Sequence, residues 1–228
     1  MVLKLYAAPL STASLRVAQT LHEKKIPFEV ISIDLAKKEN KQEAYLEKQP
    51  FGQVPYIDDD GFILYESRAI TRYLVLKYPQ EGTQGLVPDI TDVKAWALFE
   101  QASSNEVANF ETFARVIVYE KVFKARIGQD PDLKAYENAF NQLSAKLDAY
   151  EKILGKQPYL AGETLTLADL SHLPFGTRLY LVGAGDLIDS RPNVSKWFKS
   201  LKERESWREV EKGIKATVGL TLGHTGWD

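Results

Sequence analysis

The chain contains no cysteine. Disulfides, zinc–thiolate sites, iron–sulfur clusters and a thiol nucleophile in the protein itself are therefore excluded. Histidine is scarce: His22, His172 and His224 stand at scattered positions, and no H-E-x-x-H sequence sets two of them on one helix face. No serine lies in a G-x-S-x-G frame, the usual setting of a hydrolase nucleophile. No G-x-x-x-x-G-K occurs. Gly183-Ala184-Gly185 lacks a third glycine and follows a helical stretch, so it reads as a helix stop rather than a dinucleotide loop. Neither sign of charge is in excess, with Lys+Arg 29 against Asp+Glu 31 and a net charge of -2. That argues against a nucleic-acid-binding surface and against a polyanionic tail. No run of ~18 apolar residues is present to span a membrane, and the opening MVLKLYAAPLSTASLRVAQ has no apolar core of a secretory signal. The expectation is a soluble protein of the cytoplasm, without bound metal and without a membrane or nucleic-acid partner.

What is present is an ordinary globular mixture. The 228 residues are 44% apolar, 26% charged and 11% aromatic, enough for one large domain or two small ones. The first part alternates short apolar runs with helical periodicity. Val2 to Tyr6 reads as a strand, and Ser11 opens a helical run to Lys24 with Leu15, Ala18 and Leu21 on one face. Phe28 to Ile33 reads as a second strand. A polar loop from Ala36 to Gln42 leads to a short helix around Ala44 to Glu47. Val54 to Ile57 and Phe62 to Tyr65 are joined by Asp58-Asp59-Asp60-Gly61, a hairpin signal because glycine accepts positive φ. Ser67 to Lys77 is a further helix, giving the order β-α-β-α-β-β-α.

Pro79, Gly82, Gly85 and Pro88 mark a linker, after which long helices replace strands. One is expected from about Asp92 to Ile127. Tyr136, Phe140, Leu143, Leu147, Tyr150 and Leu154 form the apolar stripe of the next. Thr166-Leu167-Ala168-Asp169 resembles a capping box that opens a helix through Leu181, and Pro192 opens another. Ser206 is placed as the cap of a last short helix. The expected organisation is an α/β domain over 1–80, a linker over 81–90, and an all-α domain over 91–228 ending in a glycine-rich tail with His224 and Trp227. That tail either folds over a site or is disordered.

Four short segments of the first domain carry chemistry. Ser11 stands where the first strand hands over to a helix, so it can cap that helix or donate its hydroxyl to an anion held at the helix's positive end. Pro50-Phe51-Gly52-Gln53-Val54-Pro55 places a proline at the start of a strand. A cis bond there would turn the Val54 backbone outward to pair with an extended peptide. Glu66-Ser67 precedes a helix. The pair offers a carboxylate for a ligand ammonium, and a hydroxyl with a helix N-terminus for a ligand carboxylate; a plain helix cap is the alternative. Asn40-Lys41 is a polar pair able to hold a second carboxylate. Together these sites suit a short peptide with one amine, two carboxylates and a thiol.

The chain resembles a known family. PLSTASLRV at 9–17, QPFGQVP at 49–55 and LYESRAITRYL at 64–74, with VFK at 122–124 and LTLADLS at 165–171, are similar to cytosolic glutathione S-transferases, most of all the phi class of fungi and plants. The resemblance implies a thioredoxin-like N-terminal domain, an all-α C-terminal domain, and glutathione as a co-substrate with no cofactor. It implies that Ser11 is the catalytic serine facing the glutathione sulfur, and that Glu66 and Ser67 hold the γ-glutamyl end. Val54 would pair with the tripeptide backbone beside cis-Pro55, and Asn40, Lys41 and Gln53 would hold the glycine carboxylate. Asn40 departs from the class, which often carries His there, and Ala7-Ala8 departs where a Gly commonly follows the Tyr.

The expected activity is attack of the glutathione thiolate on apolar electrophiles, with hydroperoxide reduction as a further activity. Tyr6 is the rival activator, because other classes use a tyrosine on the first strand, and Thr12 is a weaker one. Leu10, Phe110, Phe113 and Tyr119 are the candidates to line the electrophile pocket, against the alternative that the aromatic residues are plain core. The family is usually a homodimer. Phe51 is the candidate to enter an apolar slot between the long helices of a partner subunit, local packing behind its loop being the alternative. The competing reading is a binding module that carries apolar ligands, or an assembly domain as in translation elongation factors, without turnover. The cysteine-based redox classes are excluded in their usual form, since serine cannot form a mixed disulfide.

Overall fold

The computed structural model describes residues 2–215. Contacts divide the described residues into two units, one formed by residues 2–84 with 205–215, the other by Gly85–Arg204. The stretch from Glu205 therefore groups with the α/β unit, whereas composition alone places it with the helices before it. The expectations for His224 and Trp227 lie outside the described residues.

The α/β unit runs β1 (Leu3–Ala7), α1 (Thr12–Glu23), β2 (Phe28–Ser32), α2 (Glu43–Leu46), β3 (Tyr56–Asp59), β4 (Phe62–Tyr65) and α3 (Ser67–Lys77). The sheet order is β2-β1-β3-β4. β1 and β2 are parallel, joined across α1, and β3 is antiparallel to both of its neighbours. The β3–β4 turn has Asp60 at φ 57° and Gly61 at φ 87°, the two positive values of a type I′ hairpin. β1 alternates strictly: Leu3, Leu5 and Ala7 are buried on one face. On the other face Tyr6 stacks on Tyr56, and Tyr45 meets Tyr56 edge-on. These rings build a second small core with Ile33 and Val54.

Two segments distant in sequence are tied to the end of α1. The buried Glu23 carboxylate accepts hydroxyl bonds from Thr83 and from Ser206, each at 2.5 Å. Ser206 is thus not a cap: it lies within the helix Glu205–Val210 and is spent on Glu23. Gly82 passes so close that a Cβ would sit 2.1 Å from the Glu23 carbonyl oxygen.

In the helical unit the expected single helix is continuous from 93 to 126 but changes pitch. α-Helical Val93–Asn105, Thr112–Val118 and Lys124–Arg126 alternate with wider π-helical turns at Glu106–Glu111 and Tyr119–Phe123. Leu133–Leu154 follows, capped by Asp132 through a bond from Ala135 N–H, with Leu143, Leu147, Tyr150 and Leu154 buried. The capping box of Thr166 and Asp169 forms. The helix that it opens is shorter than expected: Leu167–Leu170 ends in a turn and Leu173–Leu181 restarts. Pro174 accounts for the break, since it has no N–H to give to the carbonyl four residues back. Pro192–Lys202 closes the unit.

Candidate active site

The chain leaves β1, turns at Pro9-Leu10 and enters α1 with Ser11 at the N-cap (φ -66°, ψ 130°). Its Oγ accepts the Ser14 N–H at 3.4 Å, a long and weak cap. Among the described residues the Ser11 hydroxyl hydrogen has no acceptor, so it remains available. The first turn of α1 carries no acidic side chain. Nothing there competes with an anion for the free amides and the positive end of the helix dipole. The backbone N–H of Ile214 bonds to the Pro9 carbonyl at 3.3 Å, and Leu10 is half-buried beside this segment.

The second group is built on the loop before β3. The Asn40 side-chain amide donates to the Gly52 carbonyl at 2.7 Å, and the Lys41 ammonium donates to the Phe51 carbonyl at 3.1 Å. Gly52 is required here. Its φ is +59°, and a Cβ would meet the Lys41 Nζ at 2.6 Å and the Asn40 carbonyl oxygen at 2.8 Å. The Gln53 carbonyl accepts the Tyr45 hydroxyl at 2.7 Å, and the Gln53 N–H bonds to the buried Gln49 side chain. An ammonium has three hydrogens and a primary amide two, so Lys41 and Asn40 each retain a donor. The Gln53 side chain is exposed. The Val54–Pro55 peptide is cis. Among the described residues the backbone N–H and C=O of Val54 take no hydrogen-bond partner, which leaves two groups for an extended peptide.

The third group opens α3. Glu66 holds φ 69° and ψ 105°, a conformation unusual outside glycine, and its side chain caps nothing. Keeping such a residue costs about 1–3 kcal/mol, which the surrounding structure must offset. Ser67 is the first helical residue rather than the cap and is buried. Its Oγ accepts Nη1 of the buried Arg16 at 2.8 Å. The first turn of α3 again lacks an acid.

The model of the glutathione S-transferase N-terminal domain matches residues 1–75, and that of the C-terminal domain matches residues 111–205. Glutathione S-transferase hmp2 of Hypomyces subiculosus is 44% identical over 219 residues, covering 96% of this chain and 99% of its own length. The crystal structure of glutathione transferase F2 from Populus trichocarpa has a TM-score of 0.88 at 39% identity, covering 92% of this chain and 97% of that one. Glutathione S-transferase I from maize, solved in complex with an atrazine glutathione conjugate, has a TM-score of 0.86 at 29% identity, covering 93% and 97%. The chain belongs to the glutathione S-transferase family. It is of the phi type.

In this glutathione S-transferase the Tyr6 ring is stacked on Tyr56 at 4.3 Å between centroids, on the face where Tyr45 meets Tyr56 edge-on. Burial, with Tyr6 and Tyr45 alongside, pushes the Tyr56 hydroxyl well above its usual range. Phe110, expected in the wall of the electrophile pocket, is instead 1% exposed and packs on His172 at 4.6 Å and near Tyr150, in the core of its own unit. Phe113 is half-buried, and Tyr119 is exposed beside Phe123. Arg16, Tyr45 and Gln49 are the residues that sequence reading missed. Only Arg16 carried a signal, a charge at 16 flanked by the apolar Leu15 and Val17. Among the described residues no group of acids and histidines is arranged to hold a metal ion, and no helix is long and apolar enough to cross a membrane.

Proposed function

We propose that this glutathione S-transferase stabilises the glutathione thiolate through Ser11 and adds it to apolar electrophiles. The observation that carries this reading is the N-terminus of α1: a serine hydroxyl with its hydrogen uncommitted, over free amides and without a competing acid. The thiolate, not the thiol, is the nucleophile. A thiol titrates near ~8.5, and lowering that by ~2 units needs ~2.7 kcal/mol in favour of the anion. A hydroxyl bond to a charged acceptor supplies ~1.5–3 kcal/mol and a helix N-terminus ~0.3–1 kcal/mol. Together they suffice without a general base. The thiol proton leaves to solvent, the sulfur lone pair forms a bond to the electrophilic carbon, and the leaving group departs with its electron pair.

The other groups fit the rest of the tripeptide. Glu66 receives the γ-glutamyl ammonium, and Ser67 with the α3 amides its carboxylate. Val54, beside cis-Pro55, pairs with the cysteinyl backbone. Asn40, Lys41 and Gln53 take the glycine carboxylate, and the electrophile enters beside Leu10. The reading extends to a cytoplasmic homodimer. Phe51 is 64% exposed. A slot of about 220 Å³ beside the helices Val93–Asn105 and Leu133–Leu154 is lined by Leu98, Ala102, Tyr150, Ile153 and Leu160 and, in equal number, by the polar side chains of Gln101, Asn105, Lys152, Lys156 and Gln157. A cavity of about 150 Å³ already holds a benzene ring, so the slot has room for Phe51 of a second copy.

The test is conjugation of glutathione to chlorodinitrobenzene by the wild type and by Ser11→Ala. A loss in kcat/KM of roughly 10- to 150-fold is expected, with glutathione still bound. A full rate in the variant overturns the role of Ser11. Glutathione binding without any conjugation by the wild type favours a ligand carrier instead.

A further inference from the structure

Arg16 lies on α1, five residues after Ser11, and is 3% exposed. Arginine is seldom buried to that extent unless it is paired. Its Nη1 donates to Ser67 Oγ at 2.8 Å across 51 positions of sequence, joining α1 to the first residue of α3. A serine hydroxyl has two lone pairs and one hydrogen. With one lone pair taken by a guanidinium N–H, the hydrogen is left to donate. The positive charge behind the oxygen makes it a stronger donor, above all to an anion. The same position offers the free amides at the start of α3, with no acidic side chain in that turn. The matching ligand group is a carboxylate, and the neighbouring Glu66 suits an ammonium on the same carbon.

We infer that Arg16 is a positioning residue for the α-carboxylate of the γ-glutamyl end of glutathione. Buried behind Ser67, it fixes the hydroxyl so that the hydrogen points to that carboxylate and strengthens the bond. The inference rests on the glutathione-site reading above and adds a residue that acts through Ser67.

The test compares Arg16→Met, Arg16→Lys, Ser67→Ala and the double variant Arg16→Met/Ser67→Ala, each checked by thermal melting. Kinetics with chlorodinitrobenzene are read together with calorimetric binding of glutathione and of 4-aminobutyryl-cysteinylglycine, which keeps the amine but lacks the α-carboxylate. Arg16→Met is expected to raise the KM for glutathione about tenfold with kcat within about twofold, the loss of one charge-assisted bond. Arg16→Lys should restore part of the affinity. Binding of the decarboxylated analogue should be the same in all variants, and the double variant should bind no more weakly than Ser67→Ala. Should Arg16→Met fail to fold, Arg16→Lys carries the same comparison, with about a threefold loss confined to glutathione. Equal losses for glutathione and the analogue, or effects of Arg16 and Ser67 that multiply, overturn the inference while leaving the site reading intact. Unchanged glutathione affinity in Ser67→Ala overturns both.

Discussion

The side-chain amide of Asn40 donates to the carbonyl oxygen of Gly52 at 2.7 Å. This bond, with that from Lys41 to the Phe51 carbonyl, clamps the loop leading to Val54-Pro55 onto the 3₁₀ turn Glu39–Lys41. The clamp and the proposed glycine-end contacts thus use the same two side chains. Asn40→Ala is expected to raise the KM for glutathione by about 10- to 150-fold, the worth of one bond to a charged carboxylate, with kcat nearly unchanged. Gly52→Ala should be worse, because it forces a Cβ onto Lys41 at a φ of +59°. A loss of about 1–3 kcal/mol in stability with weakened glutathione binding is expected, measured by denaturant melts and calorimetry. A Gly52→Ala protein of native stability and affinity would show that the loop is free to move.

The stacking of Tyr6 on Tyr56 separates the two candidate activators. Tyr6 shares its face with Tyr56 and Tyr45, while Ser11 stands at the tip of α1. Tyr6→Phe keeps the ring and its stacking and removes only the hydroxyl. It is expected to change kcat/KM by less than about threefold, and to leave the apparent kinetic pKa in place. Ser11→Ala should move that pKa up by about 1–2 units toward the ~8.5 of a free thiol. A pH–rate profile of both variants decides the matter, and a rise in pKa confined to Tyr6→Phe would reverse the assignment.

Much of this was legible in the residues, for local reasons. Asp60-Gly61 encodes its hairpin through positive φ, and the order β-α-β-α-β-β-α follows from alternation, helical spacing and turn residues. Thr166 and Asp169 announced their capping box three residues apart. What stayed hidden depends on contacts distant in sequence. Ser206 has the composition of a cap, and only the folded chain brings Glu23 to it. Arg16 and Ser67 are 51 positions apart, so nothing local links them. Phe110 has the spacing of either a pocket wall or a core residue, and the packing of His172 against it decides between the two. The π-helical turns in the long helix leave no mark in the apolar period that places the helix.

Asp169 holds three separate segments of the helical unit. Its carboxylate is fully buried and accepts bonds from Leu160 N–H, from the Thr166 N–H and hydroxyl, and from the Trp197 indole, all at 2.9–3.0 Å. Asp169→Ala strands buried donors on three segments at once, each costing about 1–3 kcal/mol. A total loss of at least about 3 kcal/mol is expected, which for a chain of this size lowers Tm by roughly 6–12 °C. Calorimetry measures it, and a shift under about 2 °C would mean that water replaces the carboxylate at little cost.

Phe51 exposes most of its ring although aromatic side chains favour burial, and its carbonyl is fixed by Lys41. The anchored backbone presents the ring at a set place, which lowers the cost of ordering it on association. In a two-fold dimer every contact occurs twice. If truncation of one anchor costs about 2 kcal/mol, Phe51→Ala weakens the dimer by about 4 kcal/mol, roughly a thousandfold in dissociation constant. Sedimentation velocity over a dilution series should show the wild type as a dimer where Phe51→Ala is a monomer. The slot offers an independent check. Ala102 lines it at 2% exposure, and Ala102→Leu, which reduces the room for an incoming ring, should shift the equilibrium the same way. Two variants that sediment like the wild type at every concentration would place Phe51 outside the interface and return it to local packing against Tyr65, whose ring lies 6.1 Å away.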